Sequence, residues 1–344
     1  MKALVLEAYN QFAYKDVPDP VLRAADDLLV RVKAAAICGS DVHGMDGSTG
    51  RRRPPIVMGH EAAGEVVAVG SAVKRFKVGD RVTFDSTEYC GACFFCRRGE
   101  VNLCDDRQVL GVSCAEYSRS GTFAEYVVVP ERIAYRLPEG VDFVEAALAE
   151  PAAVAAHAVT RTPIALGDSL LIVGTGLIGL LLLQILRVSA PGLLVALDTD
   201  PQRREAALRF GADAAFDPAL PETANQVLSL TFGRGADHAF EAVGATAPLR
   251  TAIDLTRKGG TVTLIGNISP TVELPLQSVV TRQLTLLGSC ATAGEYPLLL
   301  DLMAQKKINV RALVSAVAPL AEGAVWFDRL YRREPGLLKV VLEP

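Results

Sequence analysis

The sequence of 344 residues has few of the features that mark nucleic-acid or membrane partners. Its formal net charge is −4, and its one cluster of basic residues is the triplet Arg51-Arg52-Arg53. A chain without a basic face creates no field that would recruit nucleic acid or an acidic membrane. Histidine is also scarce, with four in the whole chain, so a catalytic imidazole has few candidates. We therefore expect a small-molecule partner and no nucleic acid.

The sequence also lacks an uninterrupted apolar run that could cross a bilayer. The opening MKALVLEAYN has four apolar residues before Glu7, too few for the core of a signal peptide. Residues 170–187, LLIVGTGLIGLLLLQILR, are interrupted by glycines and Gln184 and fall short of the ~20 residues that a span needs. We expect no membrane association and a cytoplasmic location, where cysteines stay reduced.

The pattern of predicted secondary structure changes near residue 150. The part before it reads as short strands with turn residues between them, such as LLVRVKAA, GEVVAVG, GDRVTF and FAEYVVVP. After residue 165, apolar strands alternate with helical stretches, which is typical of a parallel sheet. The predicted fold class is α/β, with a doubly wound Rossmann sheet beside a β-rich domain. We place the boundaries at 1–152, 153–290 and 291–344, the last segment returning to the first domain.

A nucleotide-binding pattern follows the first strand of the second part. The motif comprises Gly174, Thr175, Gly176, Leu177, Ile178 and Gly179, between the strand SLLIV and the helix LLLLQILR. Its glycines allow a tight turn, close approach of a pyrophosphate and helix–strand packing, whereas an ordinary turn would need none of these. Asp198 ends the next strand, where a carboxylate accepts hydrogen bonds from a ribose and favours NAD over NADP. Arg203 could lie over the adenine or on the helix surface.

Four of the seven cysteines fall in residues 89–104 with the spacing C-x2-C-x2-C-x7-C. They are Cys90, Cys93, Cys96 and Cys104. In a reducing compartment, such a cluster binds metal more often than it forms disulfides. Four thiolates complete a tetrahedral zinc and leave no open position, so the predicted role is structural. An iron–sulfur cluster would use the same residues, but nothing else in the sequence suggests electron transfer.

A catalytic metal would need ligands elsewhere in the chain. Cys38 in AICGSDVH, His60 in VMGHEAAG and Glu150 in LAEPAAVAAH are the candidates. One thiolate, one imidazole and one carboxylate leave a fourth position open, as a catalytic zinc requires. Spacing alone does not show that the three converge, and each could equally be a structural residue.

Taken together, these motifs resemble the zinc-containing medium-chain dehydrogenase/reductase superfamily. GHEAAGEVVAVG, the upstream CGSDVH, the four-cysteine lobe, the AEP near residue 150 and the GxGxxG occur in the family's order over essentially the whole chain. The chain is most similar to the polyol branch, which includes sorbitol, threonine and hexitol-phosphate dehydrogenases. The resemblance implies a GroES-like catalytic domain, an NAD-binding Rossmann domain, and a homodimer or homotetramer.

The same resemblance implies roles for individual residues. Cys38, His60 and Glu150 match the ligands of a catalytic zinc, which with the four-cysteine site makes two zinc ions per chain. Glu61 matches a residue that holds the metal's water or replaces it, and Asp41 matches a partner that orients His60. Ser40 and His43 match the proton relay. The segments that touch the nicotinamide half of the cofactor are Val243, Gly244, Ile265, Gly266, Asn267, Gly288 and Ser289.

The activity implied is oxidation of a secondary alcohol, a polyol or a derivative of one, to a ketone by hydride transfer to NAD. Sorbitol dehydrogenases carry an Arg-Tyr pair where this chain has Gly288-Ser289-Cys290, which puts sorbitol itself in doubt. We hypothesise that the arginines of the 51–53 triplet attract an anionic group on the substrate. The alternatives are a threonine or simple secondary-alcohol dehydrogenase, a zinc hydrolase, a zinc-ribbon nucleic-acid binder and a catalytically silent NAD-binding protein.

Overall fold

The computed structural model describes residues 1–114, 117–189 and 191–344. The chain forms two compact units, one of Met1–Ala153 with Thr292–Pro344 and the other of Val154–Ala291. The first unit is therefore discontinuous in sequence. Within the described ranges, no helix is both long enough and apolar enough to cross a membrane.

Twenty strands are present in the described residues. In chain order they are β1 Lys2–Ala8, β2 Gln11–Asp16, β3 Asp27–Ala36, β4 Ile56–Val57, β5 Glu61–Val69, β6 Arg81–Phe84, β7 Thr87–Glu88, β8 Gln108–Val109, β9 Ser113–Cys114, β10 Tyr117–Ser118, β11 Tyr126–Pro130, β12 Ala134–Arg136, β13 Ser169–Val173, β14 Leu193–Leu197, β15 Ala214–Phe216, β16 Ala236–Glu241, β17 Thr256–Leu264, β18 Thr285–Gly288, β19 Val314–Pro319 and β20 Lys339–Glu343.

The α-helices are α1 Gly39–Val42, α2 Phe94–Arg97, α3 Phe143–Ala147, α4 Ala149–Arg161, α5 Leu177–Val188, α6 Pro201–Arg209, α7 Thr223–Leu230, α8 Thr246–Leu255, α9 Leu276–Thr281, α10 Tyr296–Ala304 and α11 Gly323–Tyr331. Short 3-10 turns lie at Val101–Leu103, Glu131–Ile133, Arg311–Leu313 and Leu320–Glu322.

The first unit is built on a seven-stranded sheet in the order β12-β6-β5-β3-β20-β19, with β11 also paired to β3. Strands β3 and β5 run antiparallel, and Ala36 at the end of β3 pairs with Glu61 at the start of β5. Strand β20, from the end of the sequence, pairs with the same end of β3. Residues that follow β3, begin β5 or begin β20 are thereby brought to one place.

The second unit holds a six-stranded parallel sheet in the order β15-β14-β13-β16-β17-β18. Numbered within this unit the order is 3-2-1-4-5-6, which reverses between β13 and β16 as in doubly wound dinucleotide-binding folds. Its strands are near-continuous apolar runs, as in SLLIV of β13, because helices cover both faces of such sheets. The predicted Rossmann sheet and the α/β fold class are confirmed.

Candidate metal centre

The ligand candidates Cys38 and His60 are adjacent because of the strand register just described. Cys38 follows β3 and caps the N-terminus of the single-turn helix α1, where its sulfur accepts a hydrogen bond from the backbone N–H of Ser40 at 3.4 Å. His60 comes immediately before β5 and is 6% exposed. One ligand atom each from Cys38, His60 and Glu61 lies within 4.8 Å of the others. The structure thus gathers a sulfur, an imidazole nitrogen and a carboxylate oxygen.

Glu150, the third predicted ligand, lies outside this 4.8 Å group. Its side chain is buried in the first turn of α4, and the hydroxyl of Ser86 donates to its Oε1 at 3.2 Å. Burial raises the pKa of Glu150 to about 7, with the negative charge of Glu61 adding to the rise and His60 opposing it. The carboxyl group is therefore close enough to the cluster to sense its charges.

A buried carboxylate orients the imidazole of His60. Asp41, which is fully buried, has its Oδ1 3.4 Å from Nδ1 of His60, and its Oδ2 accepts from the backbone N–H of Cys38 at 3.4 Å. Burial raises the pKa of Asp41, but the His60 and Arg52 cations hold that pKa well below its ordinary value. With Nδ1 facing a carboxylate, Nε2 is the nitrogen left for a metal.

Two buried cations that the sequence interpretation did not assign to this place flank the cluster. Lys339, at the start of β20, lies 2.5 Å from Oε2 of Glu61 and also donates to the carbonyl of Ile37 at 2.9 Å. Arg52 donates to Oδ1 of Asp41 at 2.8 Å and to Oγ of Ser40 at 3.3 Å. The signal for Lys339 was available, because a lysine inside the apolar strand LKVVLEP has to pair with something once buried.

The two predicted relay residues lie at opposite ends of helix α1. The hydroxyl of Ser40 donates to Sγ of Cys38 at 3.3 Å, so this side chain reaches the metal cluster. His43 is half-buried at the C-terminal end of α1, and its carbonyl accepts from the hydroxyl of Ser48 at 2.9 Å. Over the described part of the chain, no direct hydrogen bond joins Ser40 to the imidazole of His43.

The four cysteines of the lobe converge as the spacing suggests. One sulfur from each of Cys90, Cys93, Cys96 and Cys104 lies within 4.8 Å of the others. The lobe has little regular structure, and its backbone N–H groups point at the sulfurs, as from Cys93 to Sγ of Cys90 at 3.3 Å. The backbone N–H groups of Cys96 and Asp105 lower the pKa of Cys93, whose side chain is half-buried, to about 6, and this favours the thiolate form that metals bind.

In the second unit, the nucleotide-binding candidates lie at the carboxyl ends of parallel strands. Gly174 follows β13 with φ +93, and a Cβ on Gly179 would stand 2.0 Å from the Gly174 carbonyl oxygen, so both positions require glycine. The segments around Gly244 and Gly266 touch each other, since a Cβ on Gly266 would lie 2.1 Å from the backbone nitrogen of Gly244. Ser289, just after β18, donates its backbone N–H to the carbonyl of Leu264 at 2.9 Å.

The other residues predicted to contact the cofactor are neighbours of these turns. They are Gly176, Leu177 and Ile178 at the start of α5, Val243 beside Gly244, Ile265 and Asn267 beside Gly266, and Gly288 at the end of β18. All of them therefore lie at the edge where doubly wound folds bind ligands.

Asp198 sits just beyond β14 and is already well supplied with donors. Its Oδ2 accepts from the backbone N–H of Thr175 at 2.8 Å and from the Thr175 hydroxyl at 3.2 Å, and its Oδ1 accepts from the backbone N–H of Asp200 at 2.9 Å. Nη1 of Arg203 lies 3.9 Å from Oδ2. Because a carboxylate offers about four acceptor positions, one remains for a ribose hydroxyl. Arg203 is 48% exposed and lies beside that position.

Similarity to known proteins extends over both units. Residues 24–139 match the family described as the alcohol dehydrogenase GroES-like domain, and residues 178–305 match the one described as zinc-binding dehydrogenase. D-xylulose reductase A of Aspergillus oryzae (strain ATCC 42149 / RIB 40) is 36% identical over 336 residues, which are 95% of this chain and 93% of that protein. D-arabitol-phosphate dehydrogenase of Enterococcus avium is 33% identical over 341 residues, 97% and 94% of the two chains.

The fold is shared with solved structures as well. A candidate zinc-binding dehydrogenase from Sinorhizobium meliloti 1021, crystallised bound to NADP, is 32% identical with a TM-score of 0.89. The alignment covers 100% of this chain and 99% of that one. The GroES-like fold expected for the β-rich unit is thus confirmed, and the likeness spans the metal cluster and the nucleotide-binding edge.

Proposed function

Since the chain belongs to the family of zinc-binding alcohol dehydrogenases, we propose that it oxidises a secondary alcohol of the polyol class to a ketone, with a nicotinamide dinucleotide as hydride acceptor. The observation that carries the proposal is the convergence of Cys38, His60 and Glu61 within 4.8 Å. A closed four-cysteine site alone would offer no position for a substrate, whereas this second cluster does.

The residues of the second cluster fit zinc. Cys38 supplies a thiolate, His60 its Nε2, and Glu61 a carboxylate in the arrangement described above. Glu150 is the alternative carboxylate, which would reach the metal directly or through a water molecule. When bound, zinc would act as a Lewis acid that makes the hydroxyl of the substrate easier to deprotonate.

Ser40 is the proposed first acceptor of the substrate proton. Its hydroxyl now donates to Cys38 and accepts from Arg52, which leaves one lone pair for the substrate proton. Taking up that proton would require the hydroxyl to release its own hydrogen toward His43, through the ribose of a bound cofactor. His43 is the proposed outlet to solvent, because an imidazole can accept a proton on one ring nitrogen and release one from the other. A bound nicotinamide would accept the hydride from the substrate carbon once the hydroxyl proton has left.

We assign the cofactor as NAD. The carboxylate of Asp198 would repel a 2′-phosphate but can accept a hydrogen bond from a 2′-hydroxyl. The presence of Arg203 beside it weakens that repulsion, so the preference is one of degree. The remaining contacts come from the glycine turns after β13, β16 and β17.

The four-cysteine lobe is assigned a second, structural zinc. Four sulfurs fill a tetrahedral shell, and the segment between β7 and β8 has few apolar side chains to hold it otherwise. Two zinc ions per chain are therefore proposed. Thiols kept free for metal fit a reducing compartment, in keeping with the expected cytoplasmic location.

The substrate is proposed as a sugar alcohol, with or without a phosphate. The names of the relatives describe one protein that acts on D-xylulose and one that acts on D-arabitol phosphate. The structure separates the three arginines of the triplet, since Arg52 is 3% exposed while Arg51 and Arg53 are exposed. Only Arg51 and Arg53 can meet an anionic group of a substrate, and the hypothesis is narrowed to these two.

The test is the formation of NADH from a panel of sugar alcohols, phosphorylated sugar alcohols, threonine and simple secondary alcohols, each with and without a chelator and repeated with NADP. We expect turnover within the polyol class, lost on chelation, and two zinc ions per chain. Cys38→Ser should abolish turnover and reduce zinc from two ions to one, because the lobe keeps its own. Turnover that survives chelation and Cys38→Ser would overturn the proposal.

A further inference from the structure

One arginine of the exposed basic loop turns into the protein. Arg52 lies between α1 and β4, and its side chain is 3% exposed, whereas Arg51 and Arg53 on either side face solvent. Its Nη2 donates to Oδ1 of Asp41 at 2.8 Å and to Oγ of Ser40 at 3.3 Å, and its Nη1 donates to the carbonyl of Arg51 at 3.3 Å. A guanidinium this deeply buried is stable only when it is paired.

The neighbouring backbone is shaped to admit this side chain. A Cβ on Gly44 would lie 2.6 Å from Cγ of Arg52 and 2.9 Å from the carbonyl oxygen of Ser40. Glycine at this position therefore leaves room for the arginine stem to cross the end of α1. Arg52 thereby joins the loop to the helix that follows Cys38.

The two side chains that accept hydrogen bonds from Arg52, Asp41 and Ser40, each contact a proposed metal ligand. Asp41 lies 3.4 Å from Nδ1 of His60 and accepts from the backbone N–H of Cys38 at 3.4 Å. Ser40 donates its hydroxyl hydrogen to Sγ of Cys38 at 3.3 Å. A carboxylate that orients a ligating histidine works only if it is itself held in place. Arg52 provides that hold, and it also fixes the direction of the Ser40 hydroxyl.

We propose that Arg52 is a positioning residue of the catalytic metal site, which acts on His60 through Asp41 and on the proton acceptor Ser40 directly. The inference rests on the proposed function, because it assumes that Cys38 and His60 hold the catalytic zinc. It excludes Arg52 from binding an anionic substrate, since its side chain is buried and paired.

The rival explanation is that Arg52 only stabilises the fold. The chain offers a matched control in the ion pair of Arg119 with Glu88, whose side chains are 7% and 8% exposed. Nη2 of Arg119 also donates to the carbonyl of Val128 at 2.7 Å. This second buried pair is of the same kind, but among the described residues its contacts lead to neither Cys38 nor His60.

The experiment compares Arg52→Met, Arg52→Lys and Arg119→Met in the full-length protein. The measurements are the affinity of the catalytic site for zinc, by competition with a chromophoric chelator, together with kcat, KM and Tm. We expect Arg52→Met to weaken zinc binding by roughly 10- to 100-fold, the usual effect of losing a partner of a metal ligand. At saturating zinc, its kcat should fall more than its KM rises, because Ser40 is no longer directed. Arg52→Lys should recover part of both, since an ammonium can also reach two acceptors.

Arg119→Met should lower Tm while zinc affinity and kcat stay within about twofold of the unmutated protein. If Arg52→Met changed Tm alone, as the control does, the positioning role would be refuted. The double variant Asp41→Asn with Arg52→Met serves if the single variant does not fold, because it removes both charges of the pair. Its zinc affinity should be no weaker than that of Asp41→Asn alone, whereas additive losses would contradict action through Asp41.

These outcomes are separate from those of the proposed function. An unmutated protein that binds one zinc ion or turns over no alcohol would refute the activity itself. An active, two-zinc protein in which Arg52→Met behaves like Arg119→Met would leave the activity standing and refute only the role of Arg52.

Discussion

At the scale of a single residue, we predict that Asp198 governs the choice between the two nicotinamide dinucleotides. Three donors already occupy its carboxylate, and Arg203 stands 3.9 Å away. We predict that Asp198→Ser raises kcat/KM for NADP and lowers it for NAD, each by tenfold or more, about 1.4 kcal/mol. The reason is that the charge facing a 2′-phosphate disappears while Arg203 remains.

Steady-state kinetics with both cofactors would check this. The added substitution Arg203→Gln should cancel the gain with NADP but leave the loss with NAD, because the cation is then gone too. An unchanged preference in Asp198→Ser would show that the ribose is recognised elsewhere.

Asp85 predicts a stability change with pH that runs against the usual trend for carboxylates. It is 4% exposed, and burial raises its pKa to about 6 although the hydroxyl of Thr292 and the backbone N–H of Thr87 donate to it. Between its ordinary value of 3.8 and about 6 the native state binds more protons than the unfolded one. The free energy of unfolding contributed by Asp85 therefore falls as pH rises through that window, by about 3 kcal/mol in total.

Asp85→Asn should remove this slope, which denaturant titrations between pH 4 and pH 7 would measure as a difference from the unmutated protein. Asp80 is the matched control of opposite sign. Burial raises its pKa, but the backbone N–H of Lys77 and the guanidinium of Arg136 hold the pKa below its ordinary value. Its contribution is thus present at neutral pH and lost on acidification, so Asp80→Asn should change the slope in the other direction.

The candidate site was predictable from sequence where its residues belong to local motifs. Cys38, Ser40 and His43 lie within one short stretch, and the spacing of the four cysteines in the lobe indicates a metal site. Lys339 was given no role, and Arg52 was expected to meet an anionic substrate rather than Asp41, because strand pairing and a loop that turns inward bring these two cations to their partners. The place of Glu61 in the 4.8 Å group, with Glu150 outside it, is a matter of side-chain geometry that no spacing encodes.

At the scale of an element, we expect that removing a cysteine of the four-cysteine lobe lowers the stability of the protein but leaves its catalytic activity. We predict that Cys96→Ser reduces zinc from two ions per chain to one and lowers Tm, while kcat of the folded fraction changes less than about threefold. The reason is that the segment between β7 and β8 depends on four sulfurs for its shape.

Zinc analysis and thermal unfolding are the measurements. Cys290→Ser is the control, since Cys290 lies outside both sulfur-containing clusters and its loss should leave the zinc content unchanged. A Cys96→Ser protein that keeps two zinc ions would show that the lobe does not hold one.

At the scale of the whole molecule, the parallel sheet of the second unit ends at a strand that, among the described residues, is paired on one side only. Strand β18 is the edge strand, and the preceding helix α9 presents Leu276 and Val280, which are 62% and 68% exposed. An uncovered edge beside apolar side chains favours association. We predict a homodimer or homotetramer, and we expect Leu276→Glu with Val280→Glu to shift the mass toward the monomer in sedimentation velocity.

Leu166→Glu is the control for that experiment, because Leu166 is 87% exposed in the same unit but not in α9. A monomeric unmutated protein would contradict the prediction outright.

The fold class of the whole chain was predictable because the strands of both sheets give recognisable patterns of apolar residues in the sequence. The parallel strands are continuous apolar runs followed by helices, and this pattern repeats from β13 onward. The strand order of the seven-stranded sheet could not be predicted, because β3 pairs with β5, β11 and β20, which come from distant parts of the chain. The residues of LKVVLEP do not by themselves indicate which strands β20 pairs with.

That distant pairing has a consequence in time. Lys339 follows Glu61 by 278 residues, so at synthesis rates of about 5 to 20 residues per second the carboxylate emerges from the ribosome roughly 15 to 55 seconds before its counter-ion. During this interval the continuous segment Val154–Ala291 can fold, whereas the first sheet still lacks β20 between β3 and β19. For much of translation, the nascent chain therefore has Cys38 and His60 but not yet Lys339. A metal ion bound at that stage would be held without the lysine that pairs with Glu61 in the folded protein.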